Sequence, residues 1–495
     1  MAGQAVVKTD NATAIVRMAN PVAGQMFDHV FTRYPGEEWA TFARFGWRDT
    51  PDGLVVTLAA LDLPGPGELD PRVGHVAFQE PYTLRVALSA AEHPFALGVI
   101  HSHPDGFRTY ASSVDDEMDS YYSGYFADFA PGRPYISLIF ARRHGSVRGT
   151  GRMFWRGRWH QVRRFLTDHP RVDVDGVTSI ELAQSRAQRI GRVQRLASAF
   201  GEEAADRLHE ACVGVVGAGG TGSPAIEVLA RAGVGKIISV DHDRFTGSNL
   251  ERVHGSEDRD VDSEPAKVAI AKRHVTSINP NCTVVALRGR LPQPAIVDAL
   301  VHADVVLGCT DQQHGRLALS DLVTRYLVPA FDVGVSLEGA DGKVTGQVIQ
   351  LVRFMPEDAC ALCRRMISSF RVSQELMSEG ERRQRRDAAR EARQRGENPN
   401  AYWHEEAQLN TVGYLTTAAG ALAAGFVVGM VTGRFAAGFR RLQMNLSAEW
   451  FDVTDVDHSP RPECVCRSAM GSADQGAADA MITAPTHWPA VESVG

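Results

Sequence analysis

The chain has 495 residues, of which 44% are hydrophobic and 22% charged, with a formal net charge of -7. This length predicts two or more domains, and the composition is typical of soluble globular proteins. Seven cysteines are too few for a disulfide framework, and the net charge gives no reason to expect a nucleic-acid partner. Because the first residues contain no apolar run preceded by basic residues, we expect no signal peptide and a cytoplasmic protein.

The first third of the chain alternates strand-like runs with helical or turn-rich segments. Strands are predicted at residues 53–61, 96–102 and 135–140. We therefore expect a compact α/β domain over residues 1–165. A polar stretch containing arginine and glutamine follows, and we assign residues 166–194 to a linker helix.

A cluster of metal-binding residue types lies inside this first domain. The sequence HSHPDGFRTYASSVD places His101 and His103 two apart at a strand end, where both side chains point to one face. With Asp115 they provide three protein ligands and leave a fourth zinc position open, which indicates a catalytic site. Attack on an amide also needs a base, and the upstream candidates are Glu37 and Glu38.

The order of an upstream glutamate, HxHP and SxxD resembles the JAMM (MPN) zinc metallopeptidases over about 130 residues. The resemblance implies that His101, His103 and Asp115 bind zinc and that Ser112 stabilises the developing oxyanion. It favours Glu38 as the residue that activates water.

Two assignments in this motif stay open. Glu37 is the alternative to Glu38, because a small residue lies three positions after each of them. Asp116 with Ser113 is the alternative to Asp115 with Ser112.

A different pattern begins at Cys212. A buried strand at 212–216 leads into the glycine-rich GAGGTGS at Gly217–Ser223, then a helix at 224–233 and a strand at 236–243. This βαβ order predicts a parallel sheet in which backbone N–H groups and a helix N-terminus meet phosphate. By itself the pattern also fits a dinucleotide dehydrogenase, with Asp241 at the ribose-binding position.

The residues beyond the glycine loop separate these two possibilities. Asp243, Asn249 and Arg252 follow Asp241 in DHDRFTGSNLERV, Lys267 comes later, and Asp311 ends a predicted strand. Basic groups suit a triphosphate and an isolated acid at a strand end suits Mg²⁺. Hydride transfer needs neither.

Together these motifs resemble the Rossmann-like adenylating domain of ubiquitin-activating enzymes and of the bacterial adenylyltransferases of thiamine and molybdopterin biosynthesis, here over residues 195–468. The resemblance implies ATP and Mg²⁺ as cofactors and a homodimer in which Arg195 reaches the partner's ATP site. The other implied contacts are the phosphate-loop glycines Gly217, Gly219, Gly220 and Gly222, Asp241 on the ribose, Asn249, Arg252 and Lys267 on the phosphates, and Asp311 on Mg²⁺. Asp243 is a further implied cofactor-binding residue.

The cysteines predict a second, structural zinc. Cys360 and Cys363 form a CxxC, and Cys464 and Cys466 a CxC, which together make a closed tetrahedral site. No cysteine lies between Arg364 and Glu463, where ubiquitin-activating enzymes carry their catalytic thiol. Either the adenylate passes directly to a conjugating enzyme, sulfur donor or amine, or a thiol such as Cys360 is the acceptor.

Three segments of the second half differ in composition from the rest. Residues 371–400 are charged and predict a solvated crossover helix or loop. The apolar stretch from Val412 to Thr432, rich in Ala, Gly and Thr, favours a buried helix over a membrane span. We expect residues 469–495 to form a disordered tail.

The sequence therefore indicates a bifunctional α/β enzyme of a bacterial-type ubiquitin-like modifier pathway. One domain would adenylate the C-terminal glycine of a ubiquitin-like protein, and the other would cleave peptide or isopeptide bonds after the modifier. The alternative is activation of a sulfur-carrier protein to a thiocarboxylate, with peptidase release of the carried product. A binding scaffold with both sites inactive conflicts with the complete ligand sets. A membrane partner is not expected.

Overall fold

The computed structural model describes residues 13–72, 75–104, 109–143, 146–167, 172–174, 183–340, 342–404, 411–447, 451–452 and 459–495. Contacts along the backbone divide the chain into two compact units. The first comprises Met1–Ile180, Thr324–Leu327 and Val465–Ala480, and the second comprises Glu181–Val323, Val328–Cys464 and Met481–Gly495.

The first unit is a mixed α/β structure, and the strands predicted in it are confirmed. Its described elements are β1 (Thr13–Met18), α1 (Asn20–Val30), β2 (Ala40–Thr50), β3 (Gly53–Asp62), β4 (Leu69–Arg72), β5 (His75–Phe78), α2 (Glu80–Ser89), β6 (Ala96–Ser102), α3 (Ser113–Phe129), β7 (Tyr135–Arg143), β8 (Ser146–Trp155), β9 (Arg158–Thr167), β10 (Val172–Val174) and α15 (Val465–Ser468).

The main sheet of this unit closes on itself. Its strand order is β10-β8-β7-β6-β2-β3-β1-β9, and β9 pairs back with β8. All seven residues of β6 are buried, because aromatic and aliphatic cores pack against it from both sides. β2 pairs with β6 in an antiparallel register that sets Ala40 opposite His101. The start of β2 and the end of β6 therefore meet at one edge of the sheet.

The second unit is built around one large sheet flanked by helices. Its described elements are α4 (Ala183–Arg192), α5 (Gln194–Phe200), α6 (Glu202–Glu210), β11 (Cys212–Val216), α7 (Gly222–Arg231), β12 (Lys236–Val240), α8 (Arg259–Ser263), α9 (Lys267–Ile278), β13 (Thr283–Arg288), α10 (Pro294–Leu300), β14 (Val305–Gly308), α11 (Gln313–Tyr326), β15 (Ala330–Ala340), β16 (Lys343–Phe354), α12 (Ser369–Leu376), α13 (Glu379–Gln394), α14 (Gly413–Thr432), β17 (Arg441–Asn445), β18 (Phe451–Asp452) and β19 (Glu492–Ser493).

The centre of this sheet has the predicted parallel, Rossmann-like order. The strands run β18-β17-β16-β15-β14-β11-β12-β13-β19, and the five from β15 to β13 are parallel. Chain order therefore reverses between β11 and β14. In open α/β sheets, ligands bind at such a switch point, beyond the carboxyl ends of the strands.

The long apolar helix α14 packs inside the second unit. By length and composition it could cross a membrane. One face contributes Leu415, Ala419, Ala423 and Val427 to the core with α7 and the sheet. A Cβ at Gly420 would lie 2.3 Å from the carbonyl oxygen of Thr221, so the small residues allow close helix packing. The position of this helix agrees with the predicted buried helix.

The charged segment and the linker both contain helices, as expected. The crossover residues form α12 and α13, and α13 begins with a Ser378–Glu381 capping box. The first part of the predicted linker at 166–194 is wrong, because residues 166–167 end β9 and β10 pairs with β8 in the sheet of the first unit. Its second part contains α4, whereas residues 168–171 and 175–182 lie outside the described residues.

The prediction of a disordered tail is wrong for residues 469–495. In the first unit, Gly471 and Ala473 donate backbone hydrogen bonds to the carbonyls of Thr324 and Arg325, at 2.9 Å each. A Cβ at Gly46 would lie 2.5 Å from the carbonyl oxygen of Gly471, so small residues permit this close approach. The same composition had suggested disorder. The segments 324–327 and 465–480 also depart from the predicted domain limits, because they pack with the first unit.

Candidate functional site

The structure brings the two predicted histidines and the aspartate of the first unit together. One ligand atom from each of His101, His103 and Asp115 lies within 4.8 Å of the others, and all three residues are buried. His101 Nε2 is 3.1 Å from Asp115 Oδ1, and His103 Nε2 is 3.6 Å from Asp115 Oδ2. Burial alone would raise the pKa of Asp115, but the adjacent histidines hold it well below its usual range.

The donor set fits a metal ion. Among the described residues, neither ring nitrogen of His101 finds a partner with hydrogen-bond geometry, despite complete burial of both atoms. His101 Nε2 lies 3.1 Å from Asp115 Oδ1 without making a hydrogen bond, and a buried imidazole nitrogen without one is costly unless a group such as a metal ion satisfies it. Two imidazoles and a carboxylate are the ligands that zinc accepts in catalytic sites.

Glu38 lies beside this cluster. Ser102 donates its backbone N–H to the carbonyl of Trp39 at 3.0 Å, which holds the residues before β2 against the end of β6. Burial raises the pKa of Glu38, while the nearby His101 and His103 act in the opposite direction. Glu37 is instead exposed and pairs with Arg33 at 3.1 Å. The structure thus brings Glu38, and not Glu37, to the cluster.

The start of α3 separates the two alternative aspartates. Ser112 is the N-cap, accepting a hydrogen bond from Asp115 N and donating its hydroxyl to Asp115 Oδ2 at 2.8 Å. Asp116 points elsewhere, with its carboxylate paired to Arg152 at 2.5 Å. The alternative of Ser113 with Asp116 is therefore not the one that the structure assembles. In this geometry the Ser112 hydroxyl orients the Asp115 carboxylate.

In the second unit, the glycine loop lies at the switch point of the sheet. Asp241, at the end of β12, accepts hydrogen bonds from Ala218 N at 2.7 Å and from Asp243 N at 2.8 Å. Burial raises the pKa of Asp241, and the nearby Lys267 opposes that rise. A Cβ on Gly222 would lie 1.7 Å from the carbonyl oxygen of Gly217, so this turn requires glycine.

The basic residues predicted to contact phosphates flank this loop. Lys267 begins α9 and pairs with Asp243 at 2.7 Å, a contact that lowers the pKa of Asp243 against the effect of burial. The side chain of Arg252 passes over Gly220, where a Cβ would lie 3.0 Å from Arg252 Cδ. Arg252 Nη1 also donates to Thr411 Oγ1 at 3.2 Å.

Three further predicted residues have different surroundings. Asn249 is buried, and its Oδ1 accepts a hydrogen bond from Thr246 N at 3.2 Å, so part of this side chain organises its own turn. Asp311 follows β14 and is exposed. Gly217 approaches the end of that strand closely, since its Cβ would lie 2.5 Å from the carbonyl oxygen of Cys309. Arg195 is exposed on α5.

The four predicted zinc cysteines form one cluster. Their sulfur atoms all lie within 4.8 Å of one another, and Cys360 Sγ is 3.6 Å from Cys464 Sγ. Zn–S bonds of about 2.3 Å give a tetrahedral S···S edge of roughly 3.8 Å, so the spacing fits a zinc ion. Arg461 donates its backbone N–H to Cys363 Sγ at 3.3 Å. None of the seven cysteines forms a disulfide.

Sequence reasoning missed several residues near the glycine loop. Arg290 follows the predicted strand at 282–289, and its position after a strand end was the available signal. Burial, with Arg290 and Lys267 nearby, lowers the pKa of His242 to about 4 despite the opposing effect of Asp243. His314 begins α11 and donates its backbone N–H to Glu375 at 2.7 Å.

A second missed group surrounds Glu227 on α7. Its Oε2 lies 2.8 Å from His254 Nδ1 and 3.1 Å from His274 Nε2. His254 in turn donates its backbone N–H to Ser223 Oγ at 3.0 Å, which connects the segment carrying Arg252 to the start of α7.

Comparison with known proteins agrees with the second site. The model of the ThiF family matches residues 192–466. The chain is 34% identical over 163 residues to the SAMP-activating enzyme E1 of Haloferax volcanii, covering 33% of this chain and 56% of that protein. It is 33% identical over 159 residues to the sulfur carrier protein ThiS adenylyltransferase of Escherichia coli, covering 32% and 59%.

A third relative is the adenylyltransferase and sulfurtransferase UBA4 of Saccharomyces cerevisiae, 31% identical over 191 residues, covering 38% of this chain and 41% of that protein. The chain thus spans about half the length of the curated relatives it matches. The family model does not extend over the histidine–aspartate cluster.

Proposed function

The chain belongs to the ThiF family, and we propose that its second unit uses ATP and Mg²⁺ to adenylate the C-terminal glycine of a ubiquitin-like or sulfur-carrier protein. The observation that carries this proposal is the arrangement at the switch point of the sheet. There the glycine loop, Asp241 and Asp311 follow the ends of β11, β12 and β14, with Lys267 and Arg252 beside them. Two of the relatives named above are a SAMP-activating enzyme and an adenylyltransferase of the sulfur carrier protein ThiS, as their names state.

The reaction joins a carboxylate to the α-phosphate of ATP. A carboxylate oxygen of the carrier attacks the α-phosphorus, the bond to the bridging oxygen of the β-phosphate breaks, and pyrophosphate leaves with that electron pair. Backbone N–H groups of the loop and the N-terminus of α7 hold the phosphates. Arg252 and Lys267 balance the charge that moves to pyrophosphate, with Lys267 exchanging Asp243 for phosphate.

Asp311 is the residue that would hold Mg²⁺. Its exposed carboxylate follows the strand on the far side of the switch point from Asp241, and a hard cation prefers such oxygen ligands. When bound, the ion would neutralise phosphate charge and orient the β- and γ-phosphates.

We further propose that the first unit cleaves peptide or isopeptide bonds after the carrier. His101, His103 and Asp115 would hold zinc, which when bound lowers the pKa of a coordinated water. Glu38 would take the proton from the attacking water and pass it to the leaving amine. The Ser112 backbone N–H, which donates to Asp115 Oδ2 at 2.6 Å, would keep that carboxylate in place while the Ser112 hydroxyl turns from Asp115 to donate a hydrogen bond to the oxyanion. The orphaned imidazole nitrogens of His101 support this assignment.

The four-cysteine cluster would hold a structural zinc. Cys282 and Cys309, two of the three remaining thiols, are poor sites for a thioester intermediate. Burial raises the pKa of Cys282 to about 12, and it raises that of Cys309 still further. Since the thiolate is the nucleophilic form, neither residue is a good acceptor. With no cysteine between Arg364 and Glu463, direct transfer to a sulfur donor, amine or conjugating enzyme is favoured.

The central test is ATP–pyrophosphate exchange with candidate carriers ending in diglycine, followed by intact-mass analysis of the carrier. We expect carrier-dependent exchange, and a thiocarboxylate or trimmed product would separate the sulfur-carrier alternative from the modifier pathway. Asp311→Asn should abolish exchange, whereas the exposed Asp262→Asn on α8 should keep it. Exchange without a carrier requirement, or full activity of Asp311→Asn, would contradict the proposal.

The homodimer is a separate proposal that rests on Arg195. If Arg195 completes the partner's ATP site, Arg195→Ala and Asp311→Asn should each be inactive alone. Mixing the two variants should then restore exchange, because the mixed dimer contains one intact site. A monomeric mass in light scattering, or no recovery on mixing under subunit exchange, would contradict the dimer.

A further inference from the structure

The last residues of the chain pack against the sheet of the second unit, beside β13, the outermost of its parallel strands. β19 pairs antiparallel with β13, and Val494 donates its backbone N–H to the carbonyl of Ala286 at 2.9 Å. Gln293 Nε2 donates to the carbonyl of Pro489 at 2.7 Å. The segment from Met481 to Gly495 is thus held at several points of the nucleotide-binding fold.

Trp488 is the large side chain that this segment adds. Its ring centroid is 5.2 Å from that of His314, and the guanidinium carbon of Arg290 lies 5.4 Å from the ring centroid. His314 begins the helix after β14, and Arg290 follows β13. In the parallel sheet, β11 and β12 lie between these two strands. Trp488 therefore bridges groups that follow the ends of β14 and β13, and the same carboxyl edge carries the glycine loop and Asp241.

The groups that follow the ends of β12 and β13 suit an uncharged heterocycle. His242 is neutral at neutral pH because its pKa is about 4. Burial lowers the pKa of Arg290, against the opposing charge of Asp243, and the guanidinium is cationic because an arginine keeps its proton at neutral pH. The region beyond the ribose-binding acid thus offers a flat ring, a neutral imidazole and a hydrogen-bond donor. Trp488 is only half-buried, so part of its ring is open to a ligand.

We infer that Trp488 forms the base-binding wall of the ATP site and stacks on the adenine. This inference rests on the proposed adenylation function and adds to it a residue from outside the matched family segment. The C-terminal segment holds the ring in place, the Arg290 guanidinium lies over one of its faces, and the adenine would stack on the part of the ring that Arg290 and His314 leave open. Stacking of a base on an aromatic side chain contributes about tenfold or more to affinity.

The test is calorimetric titration of the full chain with ATP·Mg²⁺ and with tripolyphosphate·Mg²⁺. Trp488→Leu keeps an apolar side chain against His314 and removes the aromatic face. We expect it to weaken ATP binding about tenfold and to leave tripolyphosphate binding unchanged. Trp488→Phe should recover most of the ATP affinity. The exposed neighbour His487→Ala should match the wild type.

The possible results distinguish a failure of the Trp488 inference from a failure of the proposed adenylation function. Equal ATP affinity in Trp488→Leu and wild type would overturn the role of Trp488 and leave adenylation standing. Equal weakening of ATP and tripolyphosphate would also overturn it, because the residue would then only support the fold. Absence of ATP binding by the wild-type chain would overturn both proposals. If Trp488→Leu fails to fold, Trp488→Met takes its place, since it also removes the aromatic face; wild-type ATP affinity in a folded Trp488→Met protein would overturn the inference.

Discussion

Gly219→Ala separates the fold of the glycine loop from its function. A Cβ at Gly219 would meet no atom within 4 Å, and the residue does not have a positive φ. Alanine is therefore compatible with the folded backbone. With phosphate bound to this loop as proposed, the methyl group would enter the open space through which the phosphate oxygens approach.

The structure predicts opposite effects of Gly219→Ala on the stability of the protein and on its affinity for ATP. Replacing glycine where the backbone tolerates alanine stabilises a protein by about 0.4–1 kcal/mol, because the unfolded chain loses freedom. Overpacking at a close contact costs about 1–3 kcal/mol, which corresponds to roughly 5- to 150-fold weaker ATP binding. We thus expect unchanged or slightly higher stability together with a loss of affinity.

The assay is ATP titration combined with thermal unfolding of the same samples. Gly425→Ala in α14, which also meets nothing within 4 Å, is the control and should keep full ATP affinity. Gly222→Ala should instead impair folding, since its Cβ would lie 1.7 Å from a backbone oxygen. Wild-type ATP affinity in a folded Gly219→Ala protein would refute the phosphate-loop assignment.

Other predictions concern metal content and pH. His103→Ala should lower bound zinc by about one equivalent in elemental analysis and stop cleavage of a fused precursor while exchange continues; unchanged zinc would contradict the ligand role. Cys363→Ser should lose the other zinc and also lower the unfolding temperature, because a structural site contributes folding energy; an unaltered midpoint would count against it. The pKa of Glu227 is held at about 2, because the neighbouring histidines outweigh burial. The stabilising contribution of Glu227 is therefore complete above pH 4.5, the ordinary pKa of a glutamate, and is lost as the pH falls toward 2. In denaturant unfolding, the free energy of unfolding should fall less steeply with decreasing pH for Glu227→Gln than for the wild type.

Local patterns were sufficient for much of the fold and for the residue types at both sites. The run from Cys212 to Asp243 predicts a strand, a tight turn, a helix and a second strand, because apolar runs and glycines report on the backbone within a few residues. HxHP followed by SxxD likewise predicts a strand end and a helix N-cap. The Ser112 cap on α3 has the spacing that this motif indicates.

The prediction of disorder was wrong for a segment that contacts between distant residues hold in an ordered conformation. Residues 469–495 are rich in small residues, which are typical of disorder when considered alone. In the folded chain, Gly471 and Ala473 donate backbone hydrogen bonds to Thr324 and Arg325, and the Gly471 carbonyl accepts one from the Thr57 hydroxyl, 414 positions away. The small side chains allow that approach, so the feature that suggested disorder is the one that permits packing.

The sequence by itself determined the parallel sheet, the glycine loop and the sets of potential ligands. Only the tertiary structure decided which neighbouring residue faces each site. Glu37 and Glu38 are adjacent, and a shift of one residue in strand register would exchange their faces. Pairing of Ala40 with His101 sets that register and brings Glu38 to the cluster. The position of Trp488 likewise depends on strand pairing, because β19 pairs with β13 across some two hundred residues and no local pattern encodes that pairing.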